Sequence, residues 1–120
     1  MRHIESQHQQ SLIKWWDLQC SRWDAHHFEL YANPNGGKRD KREAARLKAE
    51  GVRPGVSDLF LAIPAGEYHG LYIELKAPGG KATMLQNQFI RRARARGYRA
   101  EVCVEWLTAR DLIVEYLEAT

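Results

Sequence analysis

The stretch GLYIELKAPGGK, residues 70–81, decides how this chain is read. Its first half alternates with the period of a strand, which sets Leu71, Ile73 and Leu75 on one face and Tyr72, Glu74 and Lys76 on the other. The first set is an ordinary core face. The second carries a carboxylate and an ammonium side by side, and Pro78-Gly79-Gly80 stops the strand just beyond them. Two readings fit that pair. A surface salt bridge would contribute only about 0–1 kcal/mol. A partly buried pair would need a further partner or a metal, because burying unmatched charge is costly.

Upstream, VRPGVSDLFLAI opens on a Pro54-Gly55 turn and becomes an apolar run, which predicts a buried strand over 57–63. PAGEYHG turns the chain back, so the two strands form a hairpin and Asp58 reaches the end that carries Glu74 and Lys76. A lone Asp after a turn commonly does no more than satisfy backbone donors. A second carboxylate nearby changes the weighting, since the two repel and raise each other's pKa unless a cation sits between them. A hard divalent ion such as Mg²⁺ takes oxygen ligands. No His/Cys spacing favours zinc, and His3, His8, His26, His27 and His69 read as structural or surface residues.

The flanking segments supply the remaining elements. Residues 4–19 have helical spacing through Leu12, Ile13, Trp15, Trp16 and Leu18. A short strand is expected around 26–30, then a loop at ANPNGGKRD, then a helix in KREAARLKAEG closed by Gly51. Beyond the central strand a helix is expected over 83–96, ended by Gly97. YRAEVCVEW predicts a strand with Val102, Val104 and Trp106 on one face, and TARDLIVEYLEA a last helix with Thr108 and Asp111 as a capping box. The order α-β-α-β-β-α-β-α describes a mixed α/β fold, a central sheet flanked by helices, in one domain over 1–120. Glu5, Gln9, Leu12 and Trp16 share one helical face. Gln86 falls between Ile90 and Ala93, on the face of Leu85 and Phe89, where an inward glutamine needs a lysine or a bound water as partner.

Composition narrows the class of protein. At 120 residues with 44% hydrophobic and 28% charged residues, the chain can bury a core without disulfides. No apolar run is long enough to span a bilayer, and the polar opening MRHIESQHQQ lacks the core of a signal peptide. A cytoplasmic protein without membrane association is expected. Cys20 and Cys103 form no ligand pattern and read as free, buried thiols. The net charge of +3 is unevenly spread: Lys38–Arg53 holds seven Lys/Arg against three acids, and Arg91–Arg99 five arginines and no acid. Such clusters suit a polyanion partner, or are solvated helix faces. The four tryptophans suit a core more than an apolar interface.

Taken together, PGVSDLFL followed by YIELKAPGGKATMLQ resembles the PD-(D/E)xK nuclease superfamily, and within it the VRR-NUC branch of replication and repair nucleases. Glu5 with Gln9, NPNGG, GVRPGVSDL, IELK, GGKAT and Gln86 before ARGY extend the resemblance over nearly the whole chain. It implies a restriction-endonuclease-like core and Mg²⁺-dependent hydrolysis of DNA phosphodiesters, with Mn²⁺ able to substitute. It further implies Asp58, Glu74 and the Leu75 carbonyl as metal ligands, completed by Glu5, with Lys76 orienting or activating the attacking water and Gln86 as a further catalytic residue. Lys38, Arg39, Lys41, Arg42, Arg91, Arg92 and Arg94 are the candidates for DNA-backbone contacts. Similarity to stand-alone, phage-type members implies a homodimer acting on branched DNA such as four-way junctions. A flap or nonspecific nuclease of the same fold, and a basic DNA-binding module without catalysis, are the competing readings.

Overall fold

The computed structural model describes residues 3–34 and 40–119. Helix α1 (His3–Gln19), strand β1 (Leu30–Ala32), helix α2 (Lys41–Ala49), strands β2 (Leu59–Leu61) and β3 (Leu71–Lys76), helix α3 (Met84–Ala95), strand β4 (Arg99–Val104) and helix α4 (Trp106–Glu118) follow one another in the expected order. Four strands form one sheet in the order β1-β2-β3-β4. The first three are antiparallel, β2 and β3 as a hairpin and β1 joined to β2 through α2. β4 runs parallel to β3, with α3 as the crossover that a parallel pair requires.

Alternation along β3 sorts the two faces of the sheet. Leu71, Ile73 and Leu75 are at most 1% exposed and join Leu12 and Trp16 of α1 with Ala109, Ile113 and Tyr116 of α4 in the main core. On the opposite face α3 places Ile90 and Ala93 against Ala100, with Tyr72, Phe89 and Tyr98 packed around them. The result is a sheet between α1/α4 and α3, a layered mixed α/β arrangement. All four tryptophans belong to the core or pack against it, and the Trp16 indole donates to the His27 carbonyl at 2.9 Å. Both cysteines are free and buried, and burial pushes the Cys103 thiol up to about 12. Among the described residues no helix is long and apolar enough to cross a membrane.

Several expected elements are displaced for identifiable reasons. The strand expected at 26–30 is a 3-10 turn over His27–Glu29, because the His26 amide donates to the Glu29 carboxylate at 3.0 Å; β1 starts only at Leu30. The strand expected over 57–63 shrinks to Leu59–Leu61. At its start, on the side facing β3, the Asp58 side chain rather than its backbone accepts from the Leu75 amide, at 2.8 Å. Val102 and Val104 are 38% and 37% exposed, since α3 covers Ala100 but not the valines beyond it, and Trp106 belongs to α4 rather than to the strand.

The Thr108–Asp111 capping box does not form. α4 begins two residues earlier, and its start is capped across the fold: the Trp106 amide donates to His8 Nδ1 of α1 at 3.1 Å. No local pattern encodes that cap. Replacing His8 by Ala is expected to lower stability by about 1 kcal/mol, the usual worth of an N-cap, in urea unfolding. Unchanged stability would show that the α4 terminus is satisfied otherwise.

Candidate active site

The hairpin register builds the site. Leu59 lies opposite Ile73, so one step further Asp58 faces Glu74, on the sheet face shared by Tyr72 and Lys76. Asp58 is held by two backbone bonds: its Oδ2 accepts from the Leu75 amide, and its carbonyl accepts from the Asn33 amide at 2.8 Å. In an extended strand a residue's amide and carbonyl point to the same side. The Leu75 carbonyl therefore faces the gap beside Asp58, beyond the end of β2.

Glu74 and Lys76 are not a surface ion pair. Glu74 is 1% exposed and Lys76 8%, with Lys76 Nζ 3.5 Å from Glu74 Oε2. Burial raises the Glu74 carboxyl from 4.5 to about 8, and the charge of Asp58 and a hydrogen bond to its carboxyl add to the rise; Lys76 opposes it. Glu74 Oε1 is buried without a hydrogen-bond partner. A buried orphan acceptor next to a second carboxylate is a costly arrangement for an apoprotein.

The sign of that cost is testable. Because the folded state raises the pKa, the stability tied to protonated Glu74 is fully present below about 4.5 and is lost as pH rises through about 8. Urea unfolding with a chelator present is expected to give lower stability at pH 9 than at pH 6. A flat or rising profile across that window would contradict the buried, proton-sharing pair.

One cavity of about 420 Å³ gathers Glu5, Asp58, Glu74, Lys76 and Gln86. The segment from α2 to β2 walls it, through Leu47 and Lys48 and then Val52 and the Pro54-Gly55 turn. Gly55 has φ +91° and sits so close to the start of α3 that a Cβ would come within 2.9 Å of the Leu85 carbonyl oxygen. Only glycine serves both needs. This contact seats the first turn of α3, and Gln86 with it, over the carboxylates.

Gln86 finds its partner elsewhere than expected. Its Oε1 accepts from the Thr83 amide at 2.8 Å while its own amide donates to Thr83 Oγ1 at 3.2 Å, a reciprocal cap on α3. The carbonyl end is thus satisfied by its own helix terminus rather than by a lysine or water, and the amide nitrogen remains. Leu85, expected on the inward face, is 52% exposed.

Among the basic candidates, Lys38 and Arg39 lie outside the described residues. Lys41 and Arg42 of α2 and Arg91 and Arg92 of α3 are exposed. Arg94 is tied to β4, donating to the Ala100 carbonyl and pairing with Glu101 at 3.0 Å. Two features escaped the sequence reading. Lys48 lines the cavity because of how α2 lies across it, which helical periodicity does not reveal. Asn33 sits in the Asn-Pro turn read as a loop, yet its Nδ2 is buried without a partner one strand over from Asp58.

The residue set fits a hard cation. Among the described residues no three His, Cys, Asp or Glu side chains form a ready cage. Two carboxylates, one with an orphan oxygen, suffice for Mg²⁺, which is commonly bound through one or two carboxylates and keeps water or phosphate in its other positions.

The profile of the VRR-NUC domain matches residues 3–105, a span that includes Glu5, Asp58, Glu74, Lys76 and Gln86. A solved structure described as a VRR_NUC domain protein superposes with a TM-score of 0.80 at 28% sequence identity, covering 97% of this chain and 89% of that one. Among curated proteins none matches the sequence.

Proposed function

The chain belongs to the VRR-NUC domain family, of the PD-(D/E)xK nuclease type, and from that premise we propose that it is a Mg²⁺-dependent endonuclease hydrolysing DNA phosphodiester bonds, selective for branched DNA. The observation that carries the reading is Glu74, buried beside Asp58 with an orphan oxygen and a lysine at 3.5 Å. A binding module gains nothing from paired carboxylates, which repel phosphate unless a cation intervenes.

Asp58, Glu74 and the Leu75 carbonyl would hold the ion, with Glu5 lining the same cavity, and Mn²⁺ would substitute. When bound, the ion supplies Lewis-acid stabilisation of the phosphate and lowers the pKa of water. Glu74 would serve as a ligand in its ionised form, so a bound ion would offset the charge that burial opposes in the apoprotein. Lys76 keeps a compact positive charge at the wall of the site, where it orients the attacking water and offsets negative charge developing on the phosphate. Gln86 lines the same cavity. Lys41, Arg42, Arg91 and Arg92, with Lys38 and Arg39, bind the sugar-phosphate backbone without reading sequence. A homodimer would set two such sites against a two-fold symmetric junction.

Labelled four-way junction, flap and linear duplex, each incubated with Mg²⁺ and with EDTA, test the reading. Junction cleavage that requires the ion is expected. Preference for linear duplex would defeat the branched-DNA selectivity, and a preference for flaps would make the protein a flap nuclease. Binding without cleavage under any divalent ion would leave only a DNA-binding module.

A further inference from the structure

The active-site cavity does not end at the carboxylates. A second cavity, of about 730 Å³, is lined by His3 and Ile4 at the start of α1 and by the loop from Ala77 to Lys81. Glu5 and Lys76 line both cavities, so the two form one groove with the reacting groups at its waist. The far wall is shaped for closeness to Lys76. The Gly80 amide donates to the Ala77 carbonyl at 2.9 Å, and a Cβ on Gly80 would lie 3.3 Å from Lys76 Cβ. The Pro78-Gly79-Gly80 turn that ended the strand in sequence therefore folds back on the stem of Lys76 and opens the groove on that side.

Each end of the groove carries one lysine. Lys48 of α2 lines the first cavity and Lys81 the second; both are exposed. Among the described residues neither ammonium group has an ion-pair or hydrogen-bond partner. The acids between them, Glu5, Asp58 and Glu74, are gathered at the waist with Lys76. Cavities of this size are those of small-molecule sites. Each is of a size to seat a short stretch of one strand.

We propose that this groove holds one single strand across the cut, with Lys48 and Lys81 taking the phosphates on opposite sides of the scissile bond. The proposal rests on the nuclease reading for what happens at the waist, but strand binding in the groove does not require cleavage. The strand must be unpaired where it passes Lys76, so DNA peeled or frayed at that point is the form the groove accepts.

Fluorescence anisotropy with a short labelled single-stranded oligonucleotide, with Ca²⁺ in place of Mg²⁺ to offset the carboxylates and over a range of salt, tests the groove by binding rather than by cleavage. For single strands each neutralised phosphate contributes a slope of roughly 0.7 to the dependence of log K on log salt. Lys48→Ala and Lys81→Ala are each expected to lower that slope by about 0.7 and the affinity by about threefold to tenfold at low salt, and the double variant by about twice that slope. Lys14→Ala, exposed on α1 and lining neither cavity, should leave both unchanged. Slopes for Lys48→Ala and Lys81→Ala equal to that of Lys14→Ala would overturn the proposal. Reduced slopes in a protein that never cleaves DNA would uphold the groove while refuting the nuclease reading.

Discussion

Replacing Glu74 by Gln is expected to give a protein that is more stable than wild type without divalent ions and cleaves DNA at least about a hundredfold more slowly. Glutamine keeps the volume but cannot ionise. At pH 8 the wild-type carboxyl, raised to about 8 by burial and by Asp58, is held between a proton it must keep to fold comfortably and a charge that burial opposes. Removing that tension is worth on the order of 2–4 kcal/mol by linkage, which corresponds to roughly 5 °C or more in Tm. The gain should vanish below about pH 4.5, where both forms are neutral in the folded and unfolded states alike. The same substitution removes one of the two carboxylates proposed to hold the ion, so activity is expected to fall. Thermal unfolding with and without Mg²⁺ checks both halves: wild type is stabilised by the ion and the variant is not. A variant less stable than wild type at pH 8 would refute the account of Glu74 as a strained functional acid.

Lys76→Met is the second large effect. Methionine fills the space of the lysine stem against Gly80 while removing the charge that lies 3.5 Å from Glu74. Cleavage is expected to fall by about 10²–10³ in kcat with a much smaller change in KM, because the charge acts on the reacting phosphate rather than on strand binding. Loss of the ammonium also removes the one neighbour that lowers the Glu74 pKa, so the acid should titrate still higher in the metal-free protein. Stability at neutral pH should change little, since the buried partner is a protonated acid and not a stranded carboxylate. Single-turnover kinetics at saturating DNA separates the cases. A loss confined to KM would make Lys76 a binding residue only.

The central hairpin could be read from sequence because its determinants are local. Period-two alternation in residues 71–76 sorts side chains by face wherever the strand lies, and two strands joined by a short turn must run antiparallel. From that, Asp58 and Glu74 had to meet. The termini of elements were less legible, because each is settled by whichever partner reaches the free amide first. His8 comes from 98 residues away to cap α4, overriding the local Thr108–Asp111 signal. Glu29 turns back on His26 and delays β1. Gln86 looked unsatisfied on a helical wheel and is satisfied by Thr83 at its own N-terminus.

By itself the sequence determined the order of elements, the faces of β3, and which side chains meet in the cavity: two carboxylates, a lysine and a glutamine. Periodicity and turn chemistry are written in residues a few positions apart. Only the tertiary structure decided that Glu74 is buried rather than paired at the surface, that α2 closes the cavity with Lys48, and that Arg94 is committed to β4. Those outcomes depend on which helices cover which ends of the sheet. Desolvation and cavity shape are sums over segments distant in the chain, so no short stretch encodes them.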